Sequence, residues 1–138
     1  MGVLGEPDTE LKDLLAQVEE VQQTAFAKIA PGVREGDVID AANTARVTIE
    51  GSDYTDFFAH GMGIITHEAP FLVTNHPVTY EAEDAEQPLE SGMVISVETT
   101  MLHPKRSYIK LEDTVAVTHT GYELYGADAR GWTTSSFG

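Results

Sequence analysis

An α+β domain, with two helices packed on a mostly antiparallel, curved sheet, is the fold class this sequence predicts, and three observations predict it. Apolar residues recur at three-four spacing through residues 11–29 and again through 38–49, one helical face each time. From Asp53 onward the pattern changes to aromatic and β-branched residues punctuated by Gly and Pro, which suits strands. The helices precede the strands instead of alternating with them, so the two kinds of element are segregated.

Residues 1–8 read as a strand remnant and a turn, with Val3 and Leu4 at its apolar end. Asp8 is placed to cap the first helix, whose face is Leu11, Leu14, Leu15, Val18, Val21, Ala25, Phe26 and Ile29. Pro31-Gly32 predicts its end near Ala30. The second helix is predicted over 37–50, with Val38, Ala41, Ala42, Ala45 and Ile49 inward and Gly51 as its C-terminal cap. Residues 73–91 are polar, acidic and broken by Pro77 and Pro88, and are expected to form a long surface loop. Strands are predicted at 94–97, 99–102 and 107–118, with a turn at 103–106. Residues 127–138 read as a tail in which Trp132 serves as an anchor. No internal repeat is visible.

At 138 residues the chain has the length of one ordinary domain, enough to bury a core without staples. It has no cysteine, so disulfides and thiolate metal sites are excluded and any metal is held by nitrogen and oxygen. Acidic side chains number 23 against 8 basic ones, a formal charge of −15. Nucleic acid and anionic membranes would be repelled. No apolar run approaches the roughly 20 residues of a membrane span, and residues 1–10 lack a signal pattern, so a cytoplasmic protein is expected.

The chemistry gathers in residues 56–70, which set His60 and His67 seven positions apart around Gly61 and Gly63 and close on His67-Glu68-Ala69-Pro70. Two later apolar runs each end on a carboxylate, Met93-Val94-Ile95-Ser96-Val97-Glu98 and Tyr108-Ile109-Lys110-Leu111-Glu112-Asp113. A carboxylate on a strand is rigidly aimed, which suits a ligand. Among Val, Ile and Met, Glu98 needs a cation or several donors to stay charged, and Glu112 repeats the problem. A lone histidine in an apolar stretch is ordinarily a core residue. Together, His60, His67, Glu98 and Glu112 are expected to converge. His76 reads as a solvated loop residue, and His103 and His119, beside turns, are assigned nothing.

In combination and order, His60-Gly61-Met62-Gly63, His67-Glu68-Ala69-Pro70, Gly92-Met93-Val94 leading to Glu98, and Ile109 through Glu112-Asp113-Thr114 resemble the pita-bread metallopeptidases. That family includes Xaa-Pro dipeptidases, aminopeptidase P and methionine aminopeptidases, with creatinase as a metal-free relative. The resemblance runs from Gly5 to about Gly126 and implies a partial pita-bread fold, the C-terminal portion of the family's catalytic domain. It implies that His60 and Glu98 are metal ligands, that Glu112 bridges two ions, and that His67 is a catalytic residue that stays off the metal to contact the scissile carbonyl. Gly61 and Gly63 are expected to be structural.

The family's complete site has two more ligands, aspartates eleven residues apart, before the first helix. None of Asp8, Asp13, Asp37, Asp40 and Asp53 has such a partner, so a fragment or a separately encoded piece with three of five ligands is expected. A complete enzyme would hold two divalent ions, manganese, cobalt, iron or zinc, and this chain one or none. Asp56 stands where dipeptidase-like members often have a further histidine, whereas the spacing of 14 between Glu98 and Glu112 resembles the dipeptidases. The reading leans to hydrolysis before proline on small peptides, with homodimerisation or pairing with a missing N-terminal portion. The alternatives are a metal-free hydrolase or lyase of creatinase type and a non-catalytic binding module.

Overall fold

The computed structural model describes residues 1–73, 85–126 and 130–136. Its order is β1 (Gly2–Leu4), α1 (Thr9–Phe26), α2 (Glu35–Arg46), a 3-10 turn (Ser52–Tyr54), β2 (Thr55–Gly61), β3 (Glu68–Val73), β4 (Val94–His103), β5 (Ser107–Val117), β6 (Tyr122–Tyr125) and β7 (Thr133–Ser135). Strands β3-β2-β4-β5-β6 form one antiparallel sheet, and β1 pairs in parallel with β7. The expected α+β architecture is the observed one. Among the described residues no helix is long and apolar enough to cross a membrane.

Asp8 caps α1 as expected, its Oδ1 accepting from the Leu11 amide at 2.9 Å. The Arg106 guanidinium holds Asp8 at 2.7 Å and Glu10 at 2.6 Å, which ties the β4–β5 turn to the start of the helix. Leu14, Leu15, Val18, Val21, Ala25 and Phe26 form the buried face. The helix stops at Phe26, short of Ala30, because the Lys28 and Ile29 amides turn back to the Ala25 and Phe26 carbonyls, tightening the chain ahead of Pro31.

Helix α2 also differs from its predicted bounds. It begins at Glu35, where the preceding Arg34 closes a fork on Asp37 at 2.7 and 3.2 Å, and it ends at Arg46. Thr48 Oγ1 donates to the Ala45 carbonyl at 2.7 Å and satisfies the helix end itself. Gly51 is therefore no helix cap. It has φ −82° and opens the 3-10 turn, and a Cβ there would lie 2.5 Å from the Met101 methyl. Close approach, not a left-handed turn, calls for glycine.

Helix α1 lies on β4 and β5, and α2 on β2 and β3. Phe57, Ala59, Val97, Met101, Ile109, Leu111 and Val115 meet them from the sheet. Strand β4 runs unbroken through Glu98, where the sequence suggests two pieces, and β6 adds an edge strand with no counterpart in the sequence reading. The expected tail contains β7, paired to β1, while Trp132 packs against the core. Of the expected loop, Val73 belongs to β3, and 74–84, with His76, lies outside the described residues. Residues 85–91 are tied down, with an Arg34–Pro88 bridge and Leu89 buried in the core.

Phe26, fully buried, stacks on Tyr122 at 5.4 Å between ring centroids, so it joins α1 to the sheet's edge. Phe26→Ala is expected to cost about 3–5 kcal/mol in urea denaturation. The Leu11 amide, and after it Arg106, holds the Asp8 carboxyl below its ordinary value of 3.8. Its contribution is complete above that value and is lost as pH falls through the lowered one. Asp8→Asn is therefore expected to lose less stability than the natural chain as the pH is taken down from about 4, measured by thermal denaturation.

Candidate metal centre

Alternation along the strands sorts side chains onto two faces. Phe58 stands opposite Glu98, which stands opposite Glu112, while His60 pairs with Ser96 and Ser96 with Thr114. These residues share the sheet face turned away from the helices. The motif residues thus come together through register, although His60 and Glu112 lie far apart in the chain.

His60 is 2% exposed. Its Nδ1–H donates to the Gly61 carbonyl at 3.0 Å, which turns Nε2 toward Glu98 Oε1 at 3.2 Å. A carboxylate oxygen and a bare imidazole nitrogen are both acceptors. They stand at this distance only with a proton or a metal ion between them. The separation suits two atoms sharing one ion at about 2.1 Å each. His67 stacks on His60 at 4.1 Å between centroids, and one ligand atom from each of His60, His67 and Glu98 lies within 4.8 Å of the others. Nitrogen and oxygen donors converging in this way fit a divalent ion.

Glu112, the fourth expected residue, faces Glu98 but stands outside that group of three. Ser96 Oγ donates to its Oε1 at 3.0 Å and Lys110 Nζ to its Oε2 at 2.8 Å. Lys110 also pairs with Glu98 Oε2. Burial works against charge on both Lys110 and Glu112. The hydrogen bonds of the ammonium to Glu112 and Glu98 outweigh it and raise the Lys110 pKa, and the same pairing, with Ser96, lowers that of Glu112.

Four supporting residues escape a reading of the sequence. Ser96 and Lys110 lie two positions before Glu98 and Glu112, and period-two alternation places them on the same face once the strands are known. Gln22, fully buried on α1, donates to the Val97 carbonyl at 2.8 Å and steadies the backbone beside Glu98. Arg130 reaches Glu19 at 2.9 Å, Gln22 at 2.7 Å and Asp113 on the helix side of the sheet. Glu112 and Asp113 therefore serve opposite faces. His103 accepts from the Lys105 and Arg106 amides in its turn, and His119 bonds Ser91, both away from the centre.

The model of metallopeptidase family M24 matches residues 1–119. A probable dipeptidase PepE from Mycobacterium tuberculosis is 30% identical over 122 residues, 86% of this chain and 29% of that protein. An uncharacterized peptidase, SERP1271, of Staphylococcus epidermidis is 31% identical over 126 residues, 87% of this chain and 32% of its own length. The chain thus spans about a third of the curated relatives it matches. Among solved structures, a prolidase from Pyrococcus horikoshii superposes with TM-score 0.72 at 27% identity, covering 88% of this chain and 33% of that one. An X-Pro aminopeptidase from Thermotoga maritima shares the fold with TM-score 0.82 at 22% identity, covering 96% and 35%. The architecture is the pita-bread fold that the motifs imply.

Neither Gly61 nor Gly63 has positive φ; backbone crowding explains the first, whereas Gly63 meets only the movable carboxylate of Glu68. A Cβ on Gly61 would stand 2.2 Å from the Ala69 carbonyl oxygen, and one on Gly63 1.9 Å from Glu68 Oε1. The first clash is with backbone, where the β2–β3 register shifts beside His60. Gly61→Ala is expected to push β3 away at a cost of about 1–3 kcal/mol in denaturant titration, with faster amide exchange at Phe71 and Leu72.

Proposed function

Because this chain belongs to metallopeptidase family M24, we propose that the protein it represents is a metal-dependent peptidase of Xaa-Pro dipeptidase type, hydrolysing the bond before proline in small peptides. One observation carries the reading. His60 Nε2 and Glu98 Oε1 stand 3.2 Å apart, and the His67 ring lies against His60, so donors of three residues converge on one point. His60 and Glu98 would hold the ion, with Glu112 bridging to a second. The metal, when bound, supplies Lewis-acid polarisation of the peptide carbonyl and activation of water.

The remaining steps belong to the chain's own side chains. His67 is exposed, free to meet substrate, and within reach of the same point as His60 and Glu98. It donates a hydrogen bond to the scissile carbonyl as negative charge develops on that oxygen. Phe58, with centroids 5.0 Å from His60 and 6.2 Å from His67, sets the planes of both rings. Serine 96 fixes the Glu112 carboxylate. The donors accept manganese, cobalt, iron or zinc alike. In this reading the protein is a cytoplasmic homodimer, and these 138 residues alone bind one ion or none and are weakly active or inactive.

Lys110, bonded to both carboxylates, favours a second reading, a metal-free hydrolase or lyase of creatinase type acting on a small substrate through His67 and the two glutamates. Calorimetric titration of manganese into the chelator-treated chain separates the two. One site is expected, weakened at least about 10- to 100-fold in both His60→Ala and Glu98→Gln. Heat unchanged by either substitution would exclude these ligands, and an absence of binding in the natural chain and in Lys110→Met alike would leave the metal-free reading. Should the site prove real, release of proline from Xaa-Pro dipeptides is the assay for the whole protein.

A further inference from the structure

The gap between Glu98 and Glu112 already holds a cation. Lys110 Nζ lies 2.8 Å from Glu112 Oε2 and also pairs with Glu98 Oε2, so each carboxylate commits one oxygen to the same ammonium. The other oxygens face His60 at 3.2 Å and Ser96 at 3.0 Å. Glu98 is 12% exposed and Lys110 24%, so the pair with Glu98 is largely withdrawn from water, while the lysine keeps a way out to it.

We propose that Lys110 is an intramolecular competitor for the metal site, its ammonium neutralising Glu98 and Glu112 until an entering divalent ion displaces it. The inference rests on the reading of these carboxylates as ligands. An ammonium and a dication cannot share the gap, because at such spacing their repulsion is large. Lysine is suited to exchange places: it is a point charge on a flexible four-carbon stem, with no fork to lock it onto either carboxylate. Its exposure lets the displaced ammonium return to solvent instead of being stranded in the core. The outcome is a site that avoids facing like charges when empty and admits metal at the cost of one broken ion-pair triad.

Manganese titrated by calorimetry into the chelator-treated full chain tests this in Lys110→Met, Lys110→Arg and the natural sequence. Lys110→Met is expected to bind about tenfold more tightly than the natural chain, as loss of one competing, partly buried ion pair requires, while Lys110→Arg gains nothing. Binding that appears only in Lys110→Met is the limiting form of the same result. Equal or weaker binding by Lys110→Met overturns the proposal while leaving the metal reading standing. No binding by any of the three overturns both. Circular dichroism verifies folding, and Lys110→Gln supplies the same comparison if the methionine variant fails to fold.

Discussion

Glu98 and Glu112 stand directly opposite each other in the β4–β5 ladder, and like charges in that position destabilise a sheet. Positive charge must therefore lie between or beside them. Lys110 supplies it from β5, and His60 Nε2 faces the remaining oxygen of Glu98 from β2. The central strands are thus built around an electrostatic demand that a hydrophobic sheet would not make. Ser96 and the Gly61 carbonyl serve the same demand at one remove, by holding Glu112 and by fixing which imidazole nitrogen faces Glu98.

The opposite face makes this arrangement rigid. Phe57, Val97 and Leu111 are buried beneath the helices, and Gln22 reaches from α1 to the carbonyl of Val97, next to Glu98. Arg130 gathers Glu19, Gln22 and Asp113, with its guanidinium 5.8 Å from the centroid of Phe26. Adjacent acidic residues consequently have different tasks. Glu112 faces the centre, and Asp113 anchors the C-terminal segment to the helix layer. Carboxylates carried on strands clamped in this way are held in fixed directions.

Much of this could be read in the residues, but unevenly. The apolar faces of α1 and α2 follow directly from their spacing, and the Asp8 cap from its chemistry. The helix ends do not, because Thr48 finds the Ala45 carbonyl and the need for glycine at position 51 comes from Met101, 50 positions on. His60, His67, Glu98 and Glu112 are conspicuous as metal and acid-base groups in apolar surroundings. Lys110 is not, since a lysine in an exposed strand reads as a solvated charge until register sets it between two carboxylates. Strand β7 was equally hidden, because three residues near one terminus acquire meaning only beside Gly2–Leu4 at the other.

By itself the sequence determined the class of fold, the faces of the helices, the exclusion of thiolate chemistry and which side chains carry nitrogen and oxygen donors in apolar surroundings. Each of these depends on side-chain chemistry or on a periodicity of a few residues. Only the tertiary structure decided that Glu98 confronts Glu112, that Lys110 bridges them and that Asp113 turns to Arg130 instead. Strand pairing joins residues distant in the chain, and a shift of one position in register would send each of these charges to the other face of the sheet.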